Sequence, residues 1–293
     1  MSTDIRKPVW CGTSLRAIAL VTAFGLLSAC ASDEGLVSES EVSASQVISA
    51  PDWGHVHNLS IIGDLVFIGT HDGFWKQENG KEPVLLSQPT FDVMGLAGNN
   101  ERWLASGHPG ANMDAPSDLG LIESIDGGTT WKPVSLLGEV DFHRLISVDN
   151  FVLGVSAHDN SLLRSIDGGQ SWRDLGTTLI FDIAINPSNP DSIFATTENG
   201  SIQSLDGGLT FSPITTPTPL VLLAWGQQGL YATSASGQIL FSGDDGANWT
   251  QRGSLGGQPV DLAADSADVV AVVNDSIFGS NDGGLTFVER IKG

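Results

Sequence analysis

The sequence predicts an all-β fold, a six-bladed β-propeller of four-stranded antiparallel blades, and three observations carry that prediction. An octapeptide pattern, Ser-x-Asp-x-Gly-x-x-(Trp/Phe), returns five times: SIDGGTTW (124–131), SIDGGQSW (165–172), SLDGGLTF (204–211), SGDDGANW (242–249) and SNDGGLTF (280–287). Its aspartates, Asp126, Asp167, Asp206, Asp244 and Asp282, are 41, 39, 38 and 38 residues apart, a period typical of propellers and arrays of small β units. Each period divides into four short strand-like segments separated by turn residues. Beyond the N-terminal leader, no long stretch shows the apolar period of about 3.6 residues that marks a helix.

The blades follow in order. Blade one reads HVHNLSII, LVFIGTH, GFWKQE and KEPVLL, with Asn79-Gly80 as a hairpin turn, and it lacks the octapeptide. Blade two reads DVMGLAG (92–98), RWLASGH (102–108), LGLIES (119–124) and TTWKPVS (129–135). The order repeats through blade six, with PVDLAAD, DVVAVVN, SIFGSND and LTFVERI. Six units span residues 51–290, and a seventh would need about forty residues more. The octapeptide falls in the hairpin between third and fourth strands. There its Ser and Asp can bond turn backbone groups, its Gly supplies a positive φ, and its aromatic residue starts the outer strand. A catalytic group is needed once and a turn in every blade, so a structural role is expected for these aspartates.

The N-terminus reads differently. Arg6, Lys7 and Arg16 precede the apolar run AIALVTAFGLL (17–27), which is too short for a stable membrane span and reads as a secretory signal. It ends in Leu27-Ser28-Ala29-Cys30, which resembles a bacterial lipobox. The resemblance implies a lipoprotein signal peptide over 1–29, cleavage before Cys30, lipidation of its thiol, and a cell-envelope, extracytoplasmic protein anchored to the membrane by lipid. Residues 30–50, rich in Ser and Glu, are expected to be a flexible tether, and 51–293 the propeller. With Cys11 in the leader and Cys30 acylated, no thiol remains for disulfides, thiolate catalysis or a zinc–cysteine site. The net charge of −21 becomes about −23 once the leader is removed, which argues against nucleic acid as a partner. A monomer is expected.

The octapeptides resemble the Asp-box, or bacterial neuraminidase repeat, of sialidases and many other secreted propellers. Sialidase activity would imply three arginines on the substrate carboxylate, a Tyr–Glu nucleophile and an acidic Asp. Of the arginines after the leader, Arg102, Arg164, Arg173, Arg252 and Arg290 fall at the octapeptide end or on outer strands, and only Arg144 falls near the opposite end. The single tyrosine, Tyr231, has no Glu partner nearby in sequence. Sialidase activity is therefore not expected, whereas another two-carboxylate glycosidase or a glycan-binding protein remains open, as does an assembly or interaction platform.

All six histidines map to the end opposite the octapeptides. His71, His108 and His158 close the second strands of blades one to three; His55, His57 and His143 open first strands. Aligning first strands on Leu59, Leu96 and Leu145 makes His57, Met94 and His143 equivalent, with Phe181, Val221 and Val260 at that position in blades four to six. Met113 lies in a blade-two loop of the same end. Imidazole with thioether suits a copper ion, and zinc is the other candidate. The expected ligands are His55, His57, His71, Met94, His108 and His143, with Asp72, Asp92 and Asp141 as acceptors that orient the rings. The bland reading of the same residues is turn histidines bonded to backbone and Met94 packed in the channel. Trp53, Trp75 and Trp103 are candidates for stacking on a sugar or for blade packing. Calcium-loop and nucleotide-binding motifs are absent, and no Ser-His-Asp set can be argued from residue order alone.

Overall fold

The computed structural model describes residues 47–99 and 101–293. The expected signal peptide, Cys30 and most of the expected tether lie outside the described residues. Among the described residues there is no helix; all regular structure is strand.

A two-residue strand, β1 (Ile48–Ser49), precedes the blades. Blade one is β2 (Val56–Ile62), β3 (Leu65–Thr70), β4 (Gly73–Glu78) and β5 (Val84–Leu85). Blade two is β6 (Asp92–Gly98), β7 (Trp103–His108), β8 (Leu121–Ser124) and β9 (Lys132–Ser135). Blade three is β10 (Phe142–Val148), β11 (Phe151–Ser156), β12 (Ser161–Ser165) and β13 (Arg173–Thr177). Blade four is β14 (Ile180–Asn186), β15 (Asn189–Thr197), β16 (Gly200–Ser204) and β17 (Ser212–Ile214). Blade five is β18 (Leu220–Gly226), β19 (Gly229–Ser234), β20 (Gln238–Ser242) and β21 (Thr250–Ser254). Blade six is β22 (Asp261–Asp265), β23 (Asp268–Val273), β24 (Ser276–Ser280) and β25 (Val288–Lys292). Within each blade the four strands pair antiparallel in chain order, giving the expected six-bladed propeller.

The apolar core lies between blades. Both faces of a blade carry apolar side chains, so each sheet needs a neighbour on either side. Six clusters satisfy this, one per interface: Val93 and Trp103 of blade two pack with Phe67 and Phe74 of blade one, for example. The sixth interface joins the ends of the chain, with Leu59, Val66 and Ile68 of blade one against Val270, Val272 and Ile277 of blade six. Polar contacts reinforce this seam. The Leu59 amide donates to Asp261 Oδ2 at 2.6 Å, and Arg290 Nη2 donates to Gln77 Oε1 at 2.9 Å. Ile48 and Ser49, expected in the tether, instead form a fifth, outermost strand of blade six, parallel to β25. Burial of Ile48 anchors that short strand.

The five Ser-x-Asp hairpins share one hydrogen-bond pattern. In blade four, Ser204 Oγ accepts from the Gly208 amide at 2.8 Å and donates to Asp206 Oδ1 at 2.7 Å. Asp206 also accepts from the Thr210 amide at 2.9 Å and its hydroxyl at 2.6 Å. The first glycine position needs positive φ; in blade five Asp245 fills it at φ 56°, one of the few side chains that tolerate that region. At the second, a Cβ on Gly169 would clash with Leu121 of the preceding blade, so the hairpin also sets interblade spacing.

Hydrogen bonds from the Thr or Ser four residues on hold Asp126, Asp167 and Asp206 at a pKa of about 2. These depressed carboxyls stabilise the fold above the ordinary carboxylate range and lose that contribution as pH falls toward 2. The thermal midpoint followed by circular dichroism is expected to fall as pH is lowered from 4 to 2. Ser204→Ala, which strips the buried Gly208 amide of its acceptor, is expected to cost about 1–3 kcal/mol in urea unfolding.

Candidate functional site at the channel mouth

In five of the six innermost strands the ladder slips by one residue near its start. The unpaired residues are His57, Met94, His143, Phe181 and Val221. In blade six the equivalent Val260 lies just before β22, its amide bonded to the Val272 carbonyl at 2.9 Å. A bulged residue stands outside strict in–out alternation and can be re-aimed toward a site. Blades one to three thus bring His, Met and His to the mouth, and blades four to six bring Phe, Val and Val. Phe181 and Val260, 43% and 49% exposed, line a cavity of about 450 Å³ together with His143 and Arg144.

Two imidazoles and a carboxylate meet between blades one and two. His57 Nε2 lies 3.3 Å from Asp92 Oδ1, and His71 Nδ1 lies 3.1 Å from Asp92 Oδ2. One donor atom from each of the three lies within 4.8 Å of the others. His57 Nε2 and Asp92 Oδ1 are both buried without an aligned hydrogen-bond partner. Burial alone would raise the Asp92 carboxyl, but the close approach of His57, then the charge and hydrogen bond of His71, bring it below its usual range.

One blade further round, His108 and Asp141 stand where His71 and Asp92 stand in the first group, and the second imidazole is His143 of blade three, with Met94 at the position of His57. His143 Nε2 is 2.8 Å and His108 Nε2 3.5 Å from Asp141 Oδ2. His108 Nδ1 lies 2.9 Å from the Ser117 carbonyl. Burial opposes protonation of His108, yet that carbonyl and the charges of Asp141, Asp92 and Asp118 leave its pKa raised. His158 Nε2 is bound instead to Asp118, at 3.2 Å.

The six expected ligands therefore do not share one shell. His57 and His71 come together, His108 and His143 form a separate pair, and His57 and His143 do not converge on one carboxylate. His55 is exposed, 3.8 Å from Asp275. The bulge explains its separation: His55 and His57 would share a face of a regular strand, but the ladder breaks at His57. Met94 is half-buried, and its carbonyl accepts from Asn58 Nδ2 at 2.9 Å. Asp92 and Asp141, expected as orienting acceptors, stand at the centre of the two groups. Asp72 contacts neither: its amide turns back to Thr70 Oγ1.

Below the bulges lies a polar belt that sequence reasoning missed. Asn58, Arg144, Asp182 and Asp261 line a channel cavity of about 180 Å³. Each ties its blade to the next: Asn58 to the Val93 carbonyl, Arg144 Nε to Asp182 Oδ1 at 3.2 Å, and Asp182 Oδ2 to the Leu223 amide at 2.6 Å. Burial pushes Asp182 up despite Arg144, and pushes Asp261 up to about 7 against the pull of Arg144. A readable signal existed: the residues before Leu59, Leu145, Ile183 and Leu262 are Asn, Arg and two Asp, in strands otherwise mostly apolar.

The remaining arginines act at the far end. Arg102 Nη2 donates to the Gly168 carbonyl at 2.9 Å, fastening blade two to the hairpin of blade three. Arg164 and Arg252 lie over Phe151 and Phe241. Tyr231, Trp53 and Trp103 are buried. No arginine triad faces the mouth among the described residues.

The fold and this mouth define a six-bladed β-propeller with a His- and Asp-bearing channel entrance. No family model matches the chain, and no curated protein matches it by sequence. Solved structures match its fold. YCF48 bound to D1 peptide superposes with a TM-score of 0.53 at 17% identity, covering 83% of each chain. The GH74 xyloglucanase from Xanthomonas campestris gives 0.54 at 14% identity over 83% of this chain, which spans 46% of the enzyme chain. The WD40 propeller of Doa1 gives 0.55 at 12% identity, covering 83% of this chain and 84% of that one.

A carboxyl raised on folding stabilises the fold below its ordinary range and loses that contribution as pH rises through about 7. Asp261→Asn keeps an oxygen for the Leu59 amide. It is expected to raise the thermal midpoint above pH 7 and to change it little at pH 5, as read by differential scanning calorimetry.

Proposed function

We propose that the protein is a lipid-anchored extracytoplasmic propeller that binds a divalent transition metal ion at His57, His71 and Asp92. One observation carries this reading: three donor atoms within 4.8 Å of one another, with His57 Nε2 and Asp92 Oδ1 buried and unbonded. Burying a polar atom without a partner is costly, and a cation between the two would satisfy both. Ligand bonds near 2.1 Å place tetrahedral donors about 3.4 Å apart, so modest side-chain rotation closes the set. Two imidazoles and a carboxylate suit Zn(II) or Cu(II); Cu(I) prefers sulfur, which none of the three supplies.

The glycoside-hydrolase-like reading rests on fold alone, and burial of Trp53 and Trp103 removes two of the expected sugar-stacking surfaces. The exposed Phe181 and Val260 beside their cavity favour a second reading, an interaction platform receiving an apolar group of a partner. Phe181→Asp would abolish such docking and leave metal content unchanged.

The untagged protein, dialysed after exposure to ZnCl₂ or CuSO₄, is expected to retain metal by elemental analysis. His57→Ala and Asp92→Asn should each weaken binding by more than about tenfold in calorimetric titration, with the thermal midpoint preserved. His55→Ala should bind as the parent does. Absence of bound ion at micromolar metal overturns the reading. Cys30→Ala, expressed with the full leader, is expected to shift the protein from the membrane pellet to the soluble fraction.

A further inference from the structure

We infer that the mouth holds a second ion, one blade further round, at His108, His143 and Asp141. The inference rests on the reading of the first site for its chemistry and on separate residues for its geometry. His71 and His108 are equivalent, each following the residue paired with Val56 or Val93 across the ladder. Asp92 and Asp141 are equivalent too, each two residues before the bulged position: Asp92 opens β6, and Asp141 directly precedes β10. What differs is the second imidazole. Blade two has Met94 where blade one has His57, and His143 of blade three supplies the ring instead.

Two independent features point to a cation here. The first is the tautomer of His108. A carbonyl only accepts, so the 2.9 Å contact with Ser117 places a proton on Nδ1. In the neutral ring Nε2 then carries a lone pair, and it faces an oxygen of Asp141 3.5 Å away. Two acceptors facing each other need positive charge between them, supplied by a second ring proton or by a metal ion. Imidazole N–H bound to a carbonyl, with the opposite nitrogen free, is also how metal-ligating histidines are held. The second feature is Asp141 itself. It is 2% exposed, and its Oδ1 is buried with no hydrogen-bond partner. His143, 47% exposed, touches Asp141 Oδ2 but has to turn toward His108 to complete the set, because these three donor atoms do not lie within 4.8 Å of one another as those of the first site do. Its Nε2 proton passes to Nδ1 in the other neutral tautomer, which frees Nε2 for an ion.

Zinc stoichiometry tests this. Calorimetric titration and elemental analysis with ZnCl₂ should give two ions per chain. Co(II) absorption should rise to two equivalents. His143→Ala, at an exposed position, and His108→Ala should each leave one ion, as should His71→Ala. His71→Ala combined with His143→Ala should leave none. Asp141→Asn should also leave one ion, but its burial makes the His143 variant the decisive arm. One ion per chain, lost with His71→Ala and retained with His143→Ala, overturns the second site and leaves the first standing. No ion in the parent protein overturns both. Two ions that persist in the His143 and His108 variants place the second ion elsewhere and overturn this inference.

Discussion

The structure depends on burial of both faces of every blade. A four-stranded twisted sheet with apolar side chains on each face is stable only between two neighbours, and only a closed ring gives all six blades two neighbours. Closure is therefore a condition for folding, and the interface of blades six and one has to hold as firmly as those between consecutive blades. It does so by several means at once. An apolar cluster joins Leu59, Val66 and Ile68 to Val270, Val272 and Ile277. Asp261 and Arg290 reach across, and β1 is laid along the outer edge of blade six.

That closed ring gives the molecule two unlike ends. At one, the Ser-x-Asp hairpins press their second glycines against the preceding blade, and arginines such as Arg102 tie the hairpins down. At the other, the bulges open the innermost strands at the channel. The first end repeats nearly without change, because its task is the same in every blade. The second varies from blade to blade, with imidazole and carboxylate on one half and apolar side chains on the other. Variation on a repeated frame is where a binding role is sought, since fold alone assigns none.

How much of this is legible in sequence follows from what is local. The hairpins are local: Ser, Asp, Gly and an aromatic residue within eight positions make their own bonds, so blade number and strand order could be counted. The equivalence of His57, Met94 and His143 was legible because leucines mark the register. Their divergence from His55 was not, because a bulge is defined by pairing with the second strand. Nor could Asp92 and Asp141 be singled out as centres among 34 acidic residues. The outer strand β1 escaped for a similar reason: two residues, Ile48 and Ser49, carry no periodicity. The belt of Asn58, Arg144, Asp182 and Asp261 was visible as polar interruptions, but its meaning required the neighbouring blade.

The bulge has a consequence for how such a protein can change over generations. A residue paired in the ladder answers to its partners across the sheet and to the packing behind it. The extra residue of a bulge has no partner opposite, so its identity is loosely coupled to blade stability. Five such positions ring one opening, with Val260 completing the circle from just before its strand, and each of the five can be rewritten alone while the scaffold is left intact. The mouth is thus a panel of nearly independent sites, and a lineage can exchange imidazole, thioether or hydrocarbon there one blade at a time without passing through an unfolded intermediate.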